Sequence, residues 1–150
     1  MIEEIKKLRE KTGAGVMDVK KALAEAKGDV KKAEEILKAK GLDKAKKKAD
    51  REVKSGLVYA YLHQTGRIGA MVEMACETDF VASNKEFKEL TKEIAMQVAS
   101  MNPKDVDELL KQDYFRDGSK KIKEVIDELV GKIGENMKVV RFVRYELGEE

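Results

Sequence analysis

The sequence predicts an α+β protein: an N-terminal bundle of three short helices, then a three-stranded antiparallel sheet covered by helices. Three observations carry this prediction. Apolar residues recur at helical spacing three times within the first 42 positions, interrupted at Gly13-Ala14-Gly15 and at Gly28-Asp29. Residues 55–77 form two β-rich runs around a turn, and a last β-rich run, residues 137–147, follows a strongly amphipathic helix. Strands grouped in this way, not alternating regularly with helices, place the helices on one face of an antiparallel sheet.

Ile2, Ile5 and Leu8 mark the apolar face of a first helix ending near Thr12, and Gly13-Ala14-Gly15 supplies an open turn. Val16, Val19, Leu23 and Ala26 define the second helix. Gly28 stops it and Asp29 caps a third, whose face is Val30, Ala33, Ile36 and Leu37 and whose closing residue is Gly41. Residues 1–42 thus read as one small bundle and residues 55–150 as an α+β core. Between them lies a charged tether, residues 43–54, in which KAKKKADREVK offers no apolar face to bury. A nucleic-acid contact is the sharper reading of that run, but basic runs without aromatic partners are usually solvated.

In the core, a β-rich run from Gly56 to Leu62 and another from Ile68 to Glu77 flank the turn Gln64-Thr65-Gly66-Arg67, as in a hairpin. Val72, Met74 and Cys76 share one face of the second strand, and Glu73 and Glu77 the other. Ser83 with Glu86 reads as a capping box for a helix facing inward through Phe87, Leu90, Ile94, Val98 and Met101, which Asn102-Pro103 ends. A short helix over 104–111 and an apolar loop anchor at Tyr114-Phe115 follow. From a Ser119 cap, Ile122, Val125, Ile126, Leu129, Val130 and Ile133 form the clearest helical stripe in the chain.

Composition narrows function mainly by exclusion. Lys and Arg number 31 against 29 Asp and Glu, a net charge of +2, so bulk electrostatics nominate no direct nucleic-acid partner. The charged N-terminus has no apolar signal-peptide region and no long apolar run follows, so a soluble, cytoplasmic protein without a membrane partner is expected. Cys76 is the only cysteine and His63 the only histidine, which leaves no zinc pattern and no framework for a catalytic triad. No GxxxxGK phosphate loop occurs either. The expectation is a protein that is not an enzyme and carries no cofactor or metal.

The stretch CETDFV, Cys76 to Val81, places Phe80 between a strand pattern and a helix pattern. The residues alone leave two readings: a corner Phe tucked into the sheet–helix core, the commoner outcome, or an exposed contact. Val16 and Met17 pose the same choice at the start of the second helix.

Four motifs then stand in register. LREKTGAGVMDVKKAL from Leu8, Gly28-Asp29, CETDFV, and Ile133-Gly134-Glu135-Asn136 resemble the signatures of the elongation factor Ts family, through nearly the whole chain. The resemblance implies a bundle of the ubiquitin-associated type, an α+β exchange and dimerisation core, and guanine-nucleotide exchange on elongation factor Tu. It implies that Thr78, Asp79, Phe80 and Val81 reach the partner's nucleotide-binding domain beside its magnesium site, with Phe80 as an exposed wedge. By the same resemblance Arg9, Val16 and Met17 grip that domain from the bundle, and His63 lies in the hairpin where members often present a polar ring. Family members usually carry a longer stretch between the helix ending near Met101 and Tyr114-Phe115, and many carry a second core copy. This chain therefore resembles the short branch, expected to supply the second copy by forming a homodimer. The alternative is a protein-binding adaptor that uses only the N-terminal bundle.

Overall fold

The computed structural model describes residues 1–149. Its elements are α1 (Ile2–Thr12), α2 (Val16–Glu25), α3 (Val30–Lys48), β1 (Ser55–Leu62), β2 (Ile68–Cys76), α4 (Asp79–Ala82), α5 (Lys85–Met101), α6 (Val106–Lys111), β3 (Asp113–Tyr114), β4 (Asp117–Lys121), α7 (Ile122–Ile133) and β5 (Met137–Glu146). The chain divides into two units. Met1–Asp50 with Asp127–Glu135 make the first; the second runs from Arg51 to Ile126 and resumes at Asn136.

In the first unit Leu8, Val19, Ala22, Leu23, Ala33 and Leu37 form the buried core of the three-helix bundle. Gly13 ends α1 in the left-handed region, and Lys27 and Gly28 turn the chain with positive φ before the Asp29 carboxylate caps α3 through Lys31 and Lys32 N–H. Two expectations change here. Ile2, assigned to the buried face, is 84% exposed. Gly41 does not close α3, which continues through Lys48, so residues 43–48 of the expected tether are helical and Ala45 is buried. The close approach beside it depends on Gly131 of α7: a Cβ there would lie 2.6 Å from the Gly41 carbonyl oxygen, whereas a Cβ on Gly41 would meet only the Gly131 Cα at 3.9 Å, an ordinary contact. Glycine in a helix interior costs about 1 kcal/mol against alanine, and at Gly131 it permits backbone contact between helices.

The second unit is built on a three-stranded antiparallel sheet of order β1-β2-β5. Ser55 pairs with Cys76 at one end of the hairpin and Leu62 with Gly69 at the other. Ala70, Val72, Met74 and Cys76 face inward and are buried, as their alternation predicts. Helix α5 packs on β1 and β2, burying Phe87, Leu90, Ile94 and Val98, whereas Met101 at its end is exposed.

Local caps differ from the sequence reading. Asn84, not Ser83, caps α5: its side-chain oxygen accepts from Glu86 and Phe87 N–H at 2.7 and 3.2 Å. Ser83 closes α4, an additional single turn that periodicity could not register because it is only four residues long. Nor does Ser119 cap α7. It lies in β4, its hydroxyl donating to Asp117 Oδ1, and the helix starts at Ile122, whose N–H donates to the Gln112 carbonyl at 3.0 Å. The Tyr114-Phe115 anchor belongs to a small β3–β4 hairpin, whose short strands carry no alternation for the sequence to show.

Candidate partner-binding site

The corner after β2 is locked at several points. Thr78 caps α4, its Oγ1 accepting from Val81 N–H at 3.3 Å, and its carbonyl accepts from Cys76 Sγ at 3.2 Å. Ser55 at the start of β1 donates its hydroxyl to Asp79 Oδ1 at 2.5 Å. Val81 is buried, and α4 packs against β1 and β2. Glu77, just before the corner, accepts Asn136 N–H at 2.6 Å, while Asn136 Nδ2 donates to the Arg51 carbonyl at 2.8 Å and the Arg51 guanidinium lies 3.7 Å from Glu77. Glu77 and Asn136, from two motifs distant in sequence, therefore brace one corner.

Phe80 stands out of this platform at 84% exposure. The core reading of Phe80 is thereby excluded. An aromatic ring projecting from a fixed backbone loses little conformational freedom on docking, and beside it an exposed carboxylate, Asp79, carries negative charge. Val81, in contrast, offers no accessible side chain and acts by anchoring the corner. Among the described residues no group of three His, Cys, Asp or Glu side chains could hold a metal ion.

His63 lies at the opposite end of the sheet. Its ring is exposed at the β1–β2 turn, with the Tyr61 hydroxyl 3.1 Å from its Nδ1. The eight residues of β1 separate it from the Ser55–Asp79 contact, a span of roughly 25 Å at about 3.3 Å per residue. Within one chain the structure does not bring His63 and Phe80 together.

In the first unit, Arg9, Val16 and Met17 gather around the α1–α2 turn. Arg9 Nε donates to the Ala14 carbonyl at 3.3 Å, and Thr12 Oγ1 donates to the Leu8 carbonyl at 2.6 Å. Met17 is 64% exposed and Val16 partly so, which excludes the bundle-facing reading of Met17. Ile2, Ile5, Arg9 and Val16 line a groove of about 730 Å³. Ile2 is an exposed apolar residue that the sequence reading missed as surface, because its spacing matches the stripe of half-buried Ile5 and buried Leu8.

A family profile described as Elongation factor TS matches residues 77–150. Elongation factor Ts of Thermotoga neapolitana is 46% identical over 189 aligned positions, covering 97% of this chain and 96% of that protein. The chain belongs to the elongation factor Ts family. Elongation factor Ts of Thermoanaerobacter sp. strain X514 is 43% identical, with 98% and 94% covered, and that of Fervidobacterium nodosum 43%, with 97% and 96% covered. The Thermotoga alignment is longer than the 150 residues present here, so that elongation factor Ts carries residues without a counterpart in this chain. No helix among the described residues is long and apolar enough to cross a membrane.

Proposed function

We propose that this chain is a guanine-nucleotide exchange factor for elongation factor Tu, acting in the cytoplasm during translation elongation. The observation that carries the reading is the exposed Phe80 on a corner locked by Thr78, Ser55, Val81 and Asn136. Phe80 wedges into the nucleotide-binding domain beside the magnesium site, and Asp79 brings negative charge close to the ion's ligands. Mg²⁺ demands near-ideal octahedral oxygen geometry and bridges phosphate to protein, so a small disturbance of that shell releases the ion and loosens GDP. No covalent bond is made or broken. Exchange is differential binding to the nucleotide-free partner, and reciprocity requires that GDP weaken this chain's binding by the factor by which this chain weakens GDP. GTP then binds and expels the factor.

The direct test is release of fluorescent GDP from purified elongation factor Tu. Micromolar amounts of this chain are expected to accelerate it strongly; an unchanged release rate overturns the reading and leaves the bundle as an adaptor. Arg9, Val16 and Met17 dock the factor from the bundle. Arg9→Ala combined with Met17→Ala is expected to raise the half-maximal concentration about tenfold while largely preserving the saturated rate, because docking is separate from the magnesium site. Equal loss in both parameters would contradict that division.

The working unit is a homodimer. The outer sheet face exposes Val58, Leu62, Met71, Val143 and Tyr145, an apolar surface that a soluble monomer rarely leaves open. These exposed apolar side chains come from all three strands of the face. A two-fold axis crossing the strands would make this contact self-complementary and set one protomer's His63 end over its partner's Phe80 corner. Light scattering should give about twice the 16.9 kDa chain mass, and Met71→Arg, at the centre of the face, should halve it. A wild-type monomer exchanging GDP at full rate would show that one core suffices.

A further inference from the structure

We propose that Tyr61 is a positioning residue for His63, holding the imidazole so that Nε2–H is presented to an oxygen acceptor on the partner. The inference rests on the exchange-factor reading and on the expectation, carried by the family resemblance, that His63 presents its ring to elongation factor Tu; it goes beyond both by naming the residue that orients the ring, the nitrogen presented and the kind of group it meets.

The backbone of His63 is fixed on both sides. Its N–H donates to the Ile68 carbonyl at 2.9 Å, and its carbonyl accepts from Gly66 N–H at 2.8 Å, closing a turn in which Gly66 takes φ +71°. Leu147 N–H donates to the Arg67 carbonyl at 2.8 Å, tying the far side of the turn to the end of β5. The side chain needs one further constraint, and Tyr61 supplies it. Tyr61 lies two residues earlier, on the same face of the strand and half-buried. Its hydroxyl lies 3.1 Å from His63 Nδ1, and the rings meet edge to face with centroids 6.2 Å apart.

A phenolic O–H is a stronger donor than acceptor, and the best acceptor on a neutral imidazole is the bare ring nitrogen. The hydrogen bond therefore places the lone pair on Nδ1 and the proton on Nε2, since the partner of one ring nitrogen sets the state of the other. What projects from the turn is a donor with a set direction. It is complementary to a carbonyl, carboxylate or phosphate oxygen. Fixing its rotamer beforehand removes part of the ordering cost at docking.

His63 is the only histidine, so its ring nitrogens can be assigned in the full-length chain without ambiguity. Long-range ¹H–¹⁵N spectra of the neutral imidazole should show a protonated Nε2 and a hydrogen-bonded Nδ1; Tyr61→Phe should move Nδ1 to the position of a free lone pair and admit the other tautomer. In fluorescent-GDP release, Tyr61→Phe should raise the half-maximal concentration about three- to tenfold, the range for one lost hydrogen bond. His63→Ala should cost at least as much. Tyr61→Phe made in the His63→Ala background should then have no effect, because its role runs through the ring. Equal losses from Tyr61→Phe in both backgrounds, or an unchanged Nδ1 resonance, would overturn the inference. If His63→Ala is silent while the chain still accelerates release, the His63 contact itself is wrong and the inference falls with it, with the exchange reading left standing.

Discussion

Phe80→Ala is expected to cut the saturated rate of GDP release by about tenfold or more, while leaving thermal stability within about 0.5 kcal/mol of the wild type. The two halves of this expectation have one cause. At 84% exposure the ring makes little contact within its own chain, so removing it opens no cavity. A buried Phe→Ala would instead cost roughly 3–5 kcal/mol. The docked state, however, loses an aromatic anchor delivered from a backbone already fixed by the Thr78 cap, the Ser55–Asp79 hydrogen bond and buried Val81. Val81→Ala separates the two effects from the other side: it should destabilise the second unit and affect exchange only through the corner's looseness. Stopped-flow release at saturating factor, together with urea unfolding of the same variants, measures both. A stability loss for Phe80→Ala of the size typical of a core Phe would remove the wedge.

Much of this fold was legible because its elements are regular. The inward set Val72, Met74 and Cys76, the stripe Phe87, Leu90, Ile94 and Val98, and the bundle core around Leu8, Val19 and Leu23 lie where period 2 and period 3.6 place them. Illegible features have a common origin in tertiary contact. Gly41 carries a helix-stop signal, yet the helix passes through it, and its backbone is approached closely by Gly131, far away in sequence, where a Cβ would lie 2.6 Å from the Gly41 carbonyl oxygen. Ile2 fits the apolar stripe but sits one turn beyond the buried core. In the candidate site, spacing could not decide whether Phe80 or Met17 faced in or out, since an apolar residue beside a turn satisfies either pattern. The Glu77–Asn136 brace was invisible for another reason: only the pairing of Cys76 with Met137 brings those two residues side by side.

A large stability effect is expected at Gln97, the only glutamine that is fully buried among the described residues. Its Nε2 donates to the Asp113 carbonyl at 3.0 Å and to Gln112 Oε1 at 3.2 Å, and its Oε1 accepts from Phe115 N–H at 2.9 Å. Gln112 Nε2 in turn donates to the Met101 carbonyl at 3.2 Å. One amide thus ties α5 to the start of the β3–β4 hairpin, in the connection where the sequence reading expected other family members to be longer. A second tie lies nearby on the surface. Glu93 accepts from Tyr114 and Arg116, and burial first, then this carboxylate, push the Tyr114 phenol up to about 12, so it remains a donor at all ordinary pH. Gln97→Leu preserves much of the side-chain volume but strips partners from a backbone carbonyl and a backbone N–H. Each such group left unsatisfied costs about 1–3 kcal/mol, so a total loss of roughly 2–4 kcal/mol is expected in urea unfolding. Glu93→Gln should cost less than Gln97→Leu, because the Arg116 side chain is half exposed and its pair with Glu93 is screened by solvent. If Gln97→Leu costs no more than Glu93→Gln, the surface cluster and not the buried amide holds the hairpin to α5.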